Sequence, residues 1–464
     1  MSSLTYLHYI YLAVIVAVIA LMIAKHDVVI PCVVGLFILG MCYSGGNPIA
    51  GAQTVFNGMM AAGTDLFDIM LVIGIMVAML KSLEEIGADR MMIEPAAKLI
   101  KSPLMAFFVI AAVMYVCASF FWPTPATALV GTILVPIAVS AGLSPIMACL
   151  SLNMAGHGMG LSGDLVLQGA PAISAGSSGA PIEEILAKGG MLAWVAGIVA
   201  FAVAFVLYRK EILTPVHSEN AILGSGKEAK EPHKCAKFFA ILTPALFFLI
   251  VIRILIGAFV PSVSKIFGGD ATALLGGTGA MILILVCIVV NGKGWLERVT
   301  GYLKQGMMFS IKIFAAVIPI AAFFFTGNPE TAPTILGEGC PGFLFDLGQA
   351  VSEMLPLHPF PVALGIAIIG GITGLDGSGF SGVPLVAGLA AAIGGPLGYN
   401  VAALAALGQV SAIWVGGGCL CAWAFGAVAS AGVAGVEPGD LVRKNFIPVM
   451  AGLIAATIVT TLML

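Results

Sequence analysis

The sequence predicts an all-α polytopic membrane protein made of two inverted-topology repeats, each with a re-entrant hairpin and a broken transmembrane helix. Three observations carry that prediction. First, 60% of the 464 residues are hydrophobic, 9% are charged and the mean hydropathy is +1.09, whereas soluble domains run near a quarter charged. Second, two hexads repeat one pattern of breaker, hydroxyl, breaker, any residue, hydroxyl: Trp-Pro-Thr-Pro-Ala-Thr at 122–127 and Asp-Gly-Ser-Gly-Phe-Ser at 376–381. Thr124 answers to Ser378 and Thr127 to Ser381, at one offset of 254 residues (378 − 124 and 381 − 127). Third, Lys and Arg segregate onto alternate loops.

Apolar runs long enough to span a bilayer lie at about 6–24, 28–43, 66–80, 189–208, 238–259, 271–290, 307–325 and 446–463. The first reads as a retained span, because Lys25 follows it, whereas a cleaved signal carries its basic residues ahead of the apolar run. Residues 84–100 and 292–306 mix charge with apolar residues and read as helices in the cytoplasmic interface, placed to brace a moving part. Residues 104–141 and 360–395, each broken at its centre by a hexad, fit two short helices returning to the side they entered. Residues 145–171 and 399–435 are broken as well, by Asn153 to Asp164 and by Gly416-Gly417-Gly418. Lipid offers no hydrogen bonds, so backbone that breaks at such depth is buried in protein or lines a cavity. The nine cysteines show no metal-ligand spacing and read as buried, inert thiols.

With the hairpins re-entrant and every other segment crossing once, sixteen of the twenty Lys and Arg fall on one side. The positive-inside rule then puts the 209–237 linker in the cytoplasm and both termini outside. Two full crossings per hairpin would keep the same parity, so segment length and the central breakers carry the re-entrant reading. Arg253 and Lys312 lie within spans. Lys312, near a cytoplasmic end, can snorkel, and neither reads as a substrate clamp. The chain divides into a first extra helix (1–27), a first repeat (28–208) whose hairpin enters from the cytoplasm, and a solvated charged linker (209–237). A second extra helix (238–270) and a second repeat (271–464), its hairpin entering from outside, follow. The outer segment 326–342 has no counterpart in the first half.

Paired breaks in two halves are the best sequence pointer to a transporter's binding site. Thr124, Thr127, Ser378 and Ser381 offer hydroxyls, Gly377 and Gly379 bring backbone close to a ligand, and Asn153 supplies donor and acceptor where a span unwinds. Helix N-termini after Pro125 and Gly379 would favour an anion. The bland alternative is that the hydroxyls cap helices. Ionisable groups at membrane depth default to an ion or proton pathway, which nominates Asp376, Asp164 and His157. Trp122 stands where Asp376 does, so a coupling Na+ is placed at the outer tip. No phosphate-binding Gly-rich loop with Lys, zinc helix motif or nucleophile elbow is present, which argues against an ATP-driven pump and an enzyme.

At the hexads, the Ser162-Gly163-Asp164-Leu-Val-Leu-Gln168 run and the inverted halves, the chain resembles the ion transporter superfamily. Within it the likeness is greatest to anaerobic C4-dicarboxylate carriers of the DcuC-like group, and more distant to divalent anion/sodium symporters and gluconate or TRAP-type permeases. The resemblance implies a substrate site between the hairpin tips and the broken spans, Na+ or H+ coupling, and dimeric elevator transport. The resulting expectation is a secondary transporter of a small organic anion, a carboxylate or dicarboxylate, in the cell (inner or plasma) membrane as a homodimer. It needs no cofactor beyond Na+ as coupling ion and no nucleic-acid partner. The alternatives are a Na+/H+-type cation antiporter exchanging at Asp164 and Asp376 and, further off, a passive channel.

Overall fold

The computed structural model describes residues 4–23, 26, 28–215, 232–259, 262–264, 266, 269–329, 331–354, 358–377, 379–380, 382–422 and 424–464. Every regular element among them is helical. The first half runs through α1 (Tyr6–Ile23), α2 (Val29–Tyr43), α3 (Pro48–Ile86) and α4 (Ala88–Ala97), then the hairpin α5 (Pro103–Phe121) and α6 (Pro123–Ser140). A broken span follows: α7 (Pro145–Asn153), a π-helical turn (Met154–Gly160), the single turn α8 (Leu161–Gly163) and α9 (Gly169–Ser178). The half closes with α10 (Ile182–Leu213). The second half repeats the order with α11 (Ala236–Phe259), α12 (Gly269–Asn291), α13 (Trp295–Phe325), the short α14 (Ala332–Leu336) and α15 (Phe343–Met354). Its hairpin is α16 (Pro359–Thr373) and α17 (Val383–Gly394). Its broken span is α18 (Val401–Trp414), a π-helical turn (Val415–Cys419) and α19 (Phe425–Ala434), and α20 (Pro438–Thr461) ends it.

Local sequence fixes the ends. Proline opens α3 and α5 just after a polar N-cap: Asn47 accepts from the Ile49 N–H and Ser102 from the Met105 N–H. Left-handed Gly87 separates α3 from α4. At the centre, α3 packs on α13 so closely that a Cβ on Gly306 would overlap the Gly74 carbonyl. The Ser310 hydroxyl donates to Met70 O at 2.7 Å in the same seam. The hairpins cross over between halves: α6 packs on α19, and α17 on α9.

Contacts sort the loops onto two faces. On one, Lys444 pairs with Glu211 at 2.6 Å, Arg298 with Glu85 at 3.4 Å, and the His233 N–H donates to Ile86 O at 3.0 Å. The base of the first hairpin lies there too, since Gly142 sits against Pro215. On the other face His8 Nε2 meets Asp346 at 3.0 Å, the Tyr43 hydroxyl donates to Glu338 O at 3.2 Å, and Asn328 Nδ2 donates to Gly176 O at 3.4 Å. The second hairpin starts there, directly after α15. Because the tips nevertheless touch (below), each hairpin stops part-way, and the two enter from opposite faces.

Eight helical stretches among the described residues are long and apolar enough to cross a membrane. Three readings of the sequence change. The expected span at 66–80 is part of one 39-residue helix, α3, roughly 58 Å long at 1.5 Å per residue; Asn57, Thr64, Asp65 and Asp68 disguise its earlier turns. Residues 292–306 do not form a separate interfacial helix. After a 3₁₀ turn at Gly292–Gly294 the chain runs straight into α13, which leaves Lys312 well inside the helix and not near its end. The first hairpin's arms have 19 and 18 residues against 15 and 12 in the second, so only the second is built from distinctly short helices.

Candidate functional site

Four breaks meet one another. The first tip is a single residue, Trp122, at φ 67 and ψ 142, a region that bulky side chains rarely occupy. Its ring lies on that of Phe380 from the second tip, with centroids 5.3 Å apart. The second tip is longer: a 3₁₀ turn at Gly374–Asp376, then Gly377 and Gly379 at φ 84 and 74. A Cβ on Gly379 would fall 2.7 Å from the Gly417 N, so the tip's bare backbone rests on the second π-helical turn.

The two π-helical turns also pack on each other. A Cβ on Gly158 would fall 2.7 Å from Trp414 Cζ3, and one on Gly417 would fall 2.9 Å from His157 O. The first turn packs in addition on the hairpin helix α5, where Gly160 faces Ala118. A π-bulge interrupts the regular α-helical hydrogen bonding and is frequent at functional sites.

The residues nominated from sequence are placed as follows. Thr124 is half-buried in the first turn of α6, and Thr127, one turn on, is fully buried with its hydroxyl unpartnered. Asn153 ends α7 and ties the halves together: Nδ2 donates to Gly426 O and Ser430 Oγ, both at 3.3 Å, and Oδ1 accepts from Asn445 Nδ2 at 2.9 Å. His157 is 2% exposed, and neither ring nitrogen has a hydrogen-bond partner among the described residues. Asp164, at φ 37, accepts from the Gln168 and Ala170 N–H groups at 3.2 and 2.9 Å. It thus caps α9, and that role occupies both carboxylate oxygens. Gly377 and Gly379 lie in the second tip, as does the Asp376 backbone. The Asp376 side chain, Ser378 and Ser381 fall outside the described residues. The helix starts expected after Pro125 and Gly379 are at Pro123 and Val383.

The 254-residue register holds at the left-handed pair Asp164 and Gly418 (418 − 164). It slips to 256 at the glycines ahead of and behind the broken spans (398 − 142 and 435 − 179). At the same register the tips differ: Thr124 sits inside a helix, whereas Gly377 and Gly379 lie in a turn.

The sequence does not nominate four participants. Trp414 is fully buried with Nε1 unpartnered, and Ser162 is buried with its hydroxyl unpartnered. Gln409 bridges the halves, donating to Ser162 O at 2.8 Å and accepting from Ser174 Oγ at 2.7 Å. Asn445, directly after Arg443-Lys444, looks like a loop residue; its signal was the buried stripe Leu441, Asn445, Pro448, Val449, Gly452 at helical spacing. Thr127, His157, Ser162 and Trp414 each keep a buried polar atom without a partner among the described residues; a group left unpaired in this way costs about 1–3 kcal/mol.

No family model matches the sequence. The chain is 36% identical, over 465 residues and 98% of both chains, to the uncharacterized membrane protein YhfA of Bacillus subtilis strain 168. It belongs to the YhfA family. Its fold is similar to that in the crystal structure of the Alcanivorax borkumensis YdaH transporter, described as having an unusual topology. That likeness has a TM-score of 0.57 and spans 89% of this chain and 88% of the other at 15% identity. The fold is thus one that a transporter uses, and neither comparison singles out the DcuC-like group.

Proposed function

We propose that the chain is a secondary active transporter of a small organic anion, a carboxylate or dicarboxylate, coupled to Na+ or H+. One observation carries the reading: two hairpin tips and two π-helical turns meet, with His157 in one turn and Trp414 beside it both buried without hydrogen-bond partners among the described residues. Trp414 Nε1 can only donate, and hydroxyls can donate, which suits an acceptor such as a carboxylate. Carbonyls freed at the π-helical turns are candidate Na+ ligands, with Asp376 at the outer tip. The Asp164 carboxylate is engaged in capping, which weighs against its acting as one of two exchanging carboxylates.

An elevator-type movement is part of the proposal. The α3–α13 seam is tight, whereas a crevice of about 630 Å³ lined by Met92, Phe120, Phe121, Pro244, Phe247 and Phe248 separates the first hairpin from α4 and α11. The apolar crevice marks a boundary along which hairpins and broken spans slide past the rest. The proposal keeps the cation-rich face in the cytoplasm, both termini outside, and the homodimer that the resemblance implies.

The test is uptake of labelled carboxylates into proteoliposomes under imposed Na+ or pH gradients. Saturable uptake driven by a gradient is expected. Na+/H+ exchange without carboxylate uptake would replace the proposal with the antiporter, and non-saturating flux without a gradient would replace it with a channel.

A further inference from the structure

The crevice of about 630 Å³ between the first hairpin and the pair α4 and α11 has only apolar residues in its walls. Within it α5 and α11 touch through the Phe120 and Phe247 rings, 5.5 Å between centroids. Its side is open, since Ala112 and Val116 on α5 and Pro244 and Phe248 on α11 are exposed. Ile241, Pro244 and Phe248 follow Lys237 by four, seven and eleven residues, so the four share one exposed face of α11. On α5 an exposed stripe of Met105, Phe108, Ala112 and Val116 runs back towards Lys101, which is exposed just ahead of the cap Ser102. Neither Lys101 nor Lys237 pairs with a carboxylate among the described residues. From Lys237 to Phe248 the helix advances about 16 Å, which is close to half of a hydrocarbon core of about 30 Å. The crevice therefore spans the depth of one leaflet, with cations at its surface end and apolar walls below.

We propose that this crevice binds a phospholipid with an anionic headgroup from the cytoplasmic leaflet. One acyl chain fills the crevice, and the headgroup phosphate rests on Lys101 and Lys237. An empty crevice would forfeit the dispersion contacts of its walls, and water finds no polar partners in it. A free anion has no tail to fill it, and an uncharged headgroup leaves the lysines unpaired. Basic pockets between spans on the cytoplasmic side take anionic lipid headgroups by this attraction. The inference rests on the transport reading for its orientation and adds a partner to it. The chain lies on the boundary along which the hairpins and broken spans are proposed to slide, so lipid occupancy sets how readily the first hairpin moves.

The test uses the full-length protein in phosphatidylcholine nanodiscs holding a trace of phosphatidylglycerol with a photoreactive diazirine in its acyl chain. Cross-links, read by peptide mass spectrometry, are expected on Val116, Phe120, Phe247 or Phe248. Phosphatidylcholine with the same label is expected to mark these positions at least about tenfold less, and the double variant Lys101→Gln, Lys237→Gln to lower phosphatidylglycerol labelling by a similar factor. Ala112→Trp, which fills the crevice from α5, is expected to remove labelling there while labelling of other lipid-facing helices persists. Labelling spread evenly over the lipid-facing helices overturns the inference, as does equal labelling by the two lipids. So does crevice labelling unchanged in the double variant or in Ala112→Trp. Crevice labelling without gradient-driven uptake leaves the lipid site standing and removes the transport reading; uptake without crevice labelling does the reverse.

Discussion

The first hairpin turns through one residue, Trp122, whereas the second uses a 3₁₀ turn at Gly374–Asp376 and two left-handed glycines, Gly377 and Gly379. Both carry the same breaker-and-hydroxyl pattern, yet they solve the turn in opposite ways. The first forces a bulky residue into backbone space that favours glycine, and the surrounding helices hold it there. The second uses glycine and lays bare backbone on Gly416 and Gly417. The comparison assigns the tips different work. We propose that the first acts as a wedge and that the second closes on the ligand.

Four substitutions test that division, in descending order of effect. Gly379→Val adds a side chain at φ 74 against Gly417 and is expected to cost at least about 3 kcal/mol and abolish uptake. Uptake near the native rate would show that the second tip does not close on the π-helical turn. Phe380→Ala removes a buried ring and its contact with Trp122. The expected loss in denaturation experiments is about 3 kcal/mol, and a loss below half that would mean the tips do not hold each other.

The helices ahead of the hairpins differ as well. In α15, Asp346 bonds His8, but in α4 Asp89 is buried with Oδ1 unpartnered. Burial lifts Asp89 from 3.8 to about 6. The folded protein then holds this proton more tightly than the unfolded chain, so the Asp89 contribution favours folding in acid and is lost as pH rises towards 6. Asp89→Asn is expected to raise stability above that pH by about 2 kcal/mol, with little effect below about pH 4. Thermal melts of both proteins at several pH values check this; a pH-independent difference would deny the buried carboxylate. Trp122→Gly should have the smallest effect on stability. It relieves backbone strain of about 1–3 kcal/mol while losing packing of similar size, so Tm barely moves although uptake falls. A large drop in Tm would show that the first tip is not strained.

Much of this was legible beforehand. The composition, hexads, broken spans and cation pattern read out an all-helical chain with two hairpins, and Asn153, Thr127 and His157 fall at or beside the converging breaks. Less visible was the length of α3, because polar residues on a helix that packs in protein break the apolar run without breaking the helix. Lys312 was read as a snorkelling end residue because the charged stretch 292–306 hid the continuity of α13.

The sequence by itself determined where the backbone must break, since proline, glycine and hydroxyl clusters act locally and lipid cannot mend an open hydrogen bond. Only the tertiary structure decided which breaks meet. The contact of Trp122 with Phe380, Asn153 with Asn445, Gly158 with Trp414 and Lys312 with Phe425 joins residues far apart in the chain. Such pairs depend on how helices pack, which a motif repeated at one offset does not specify.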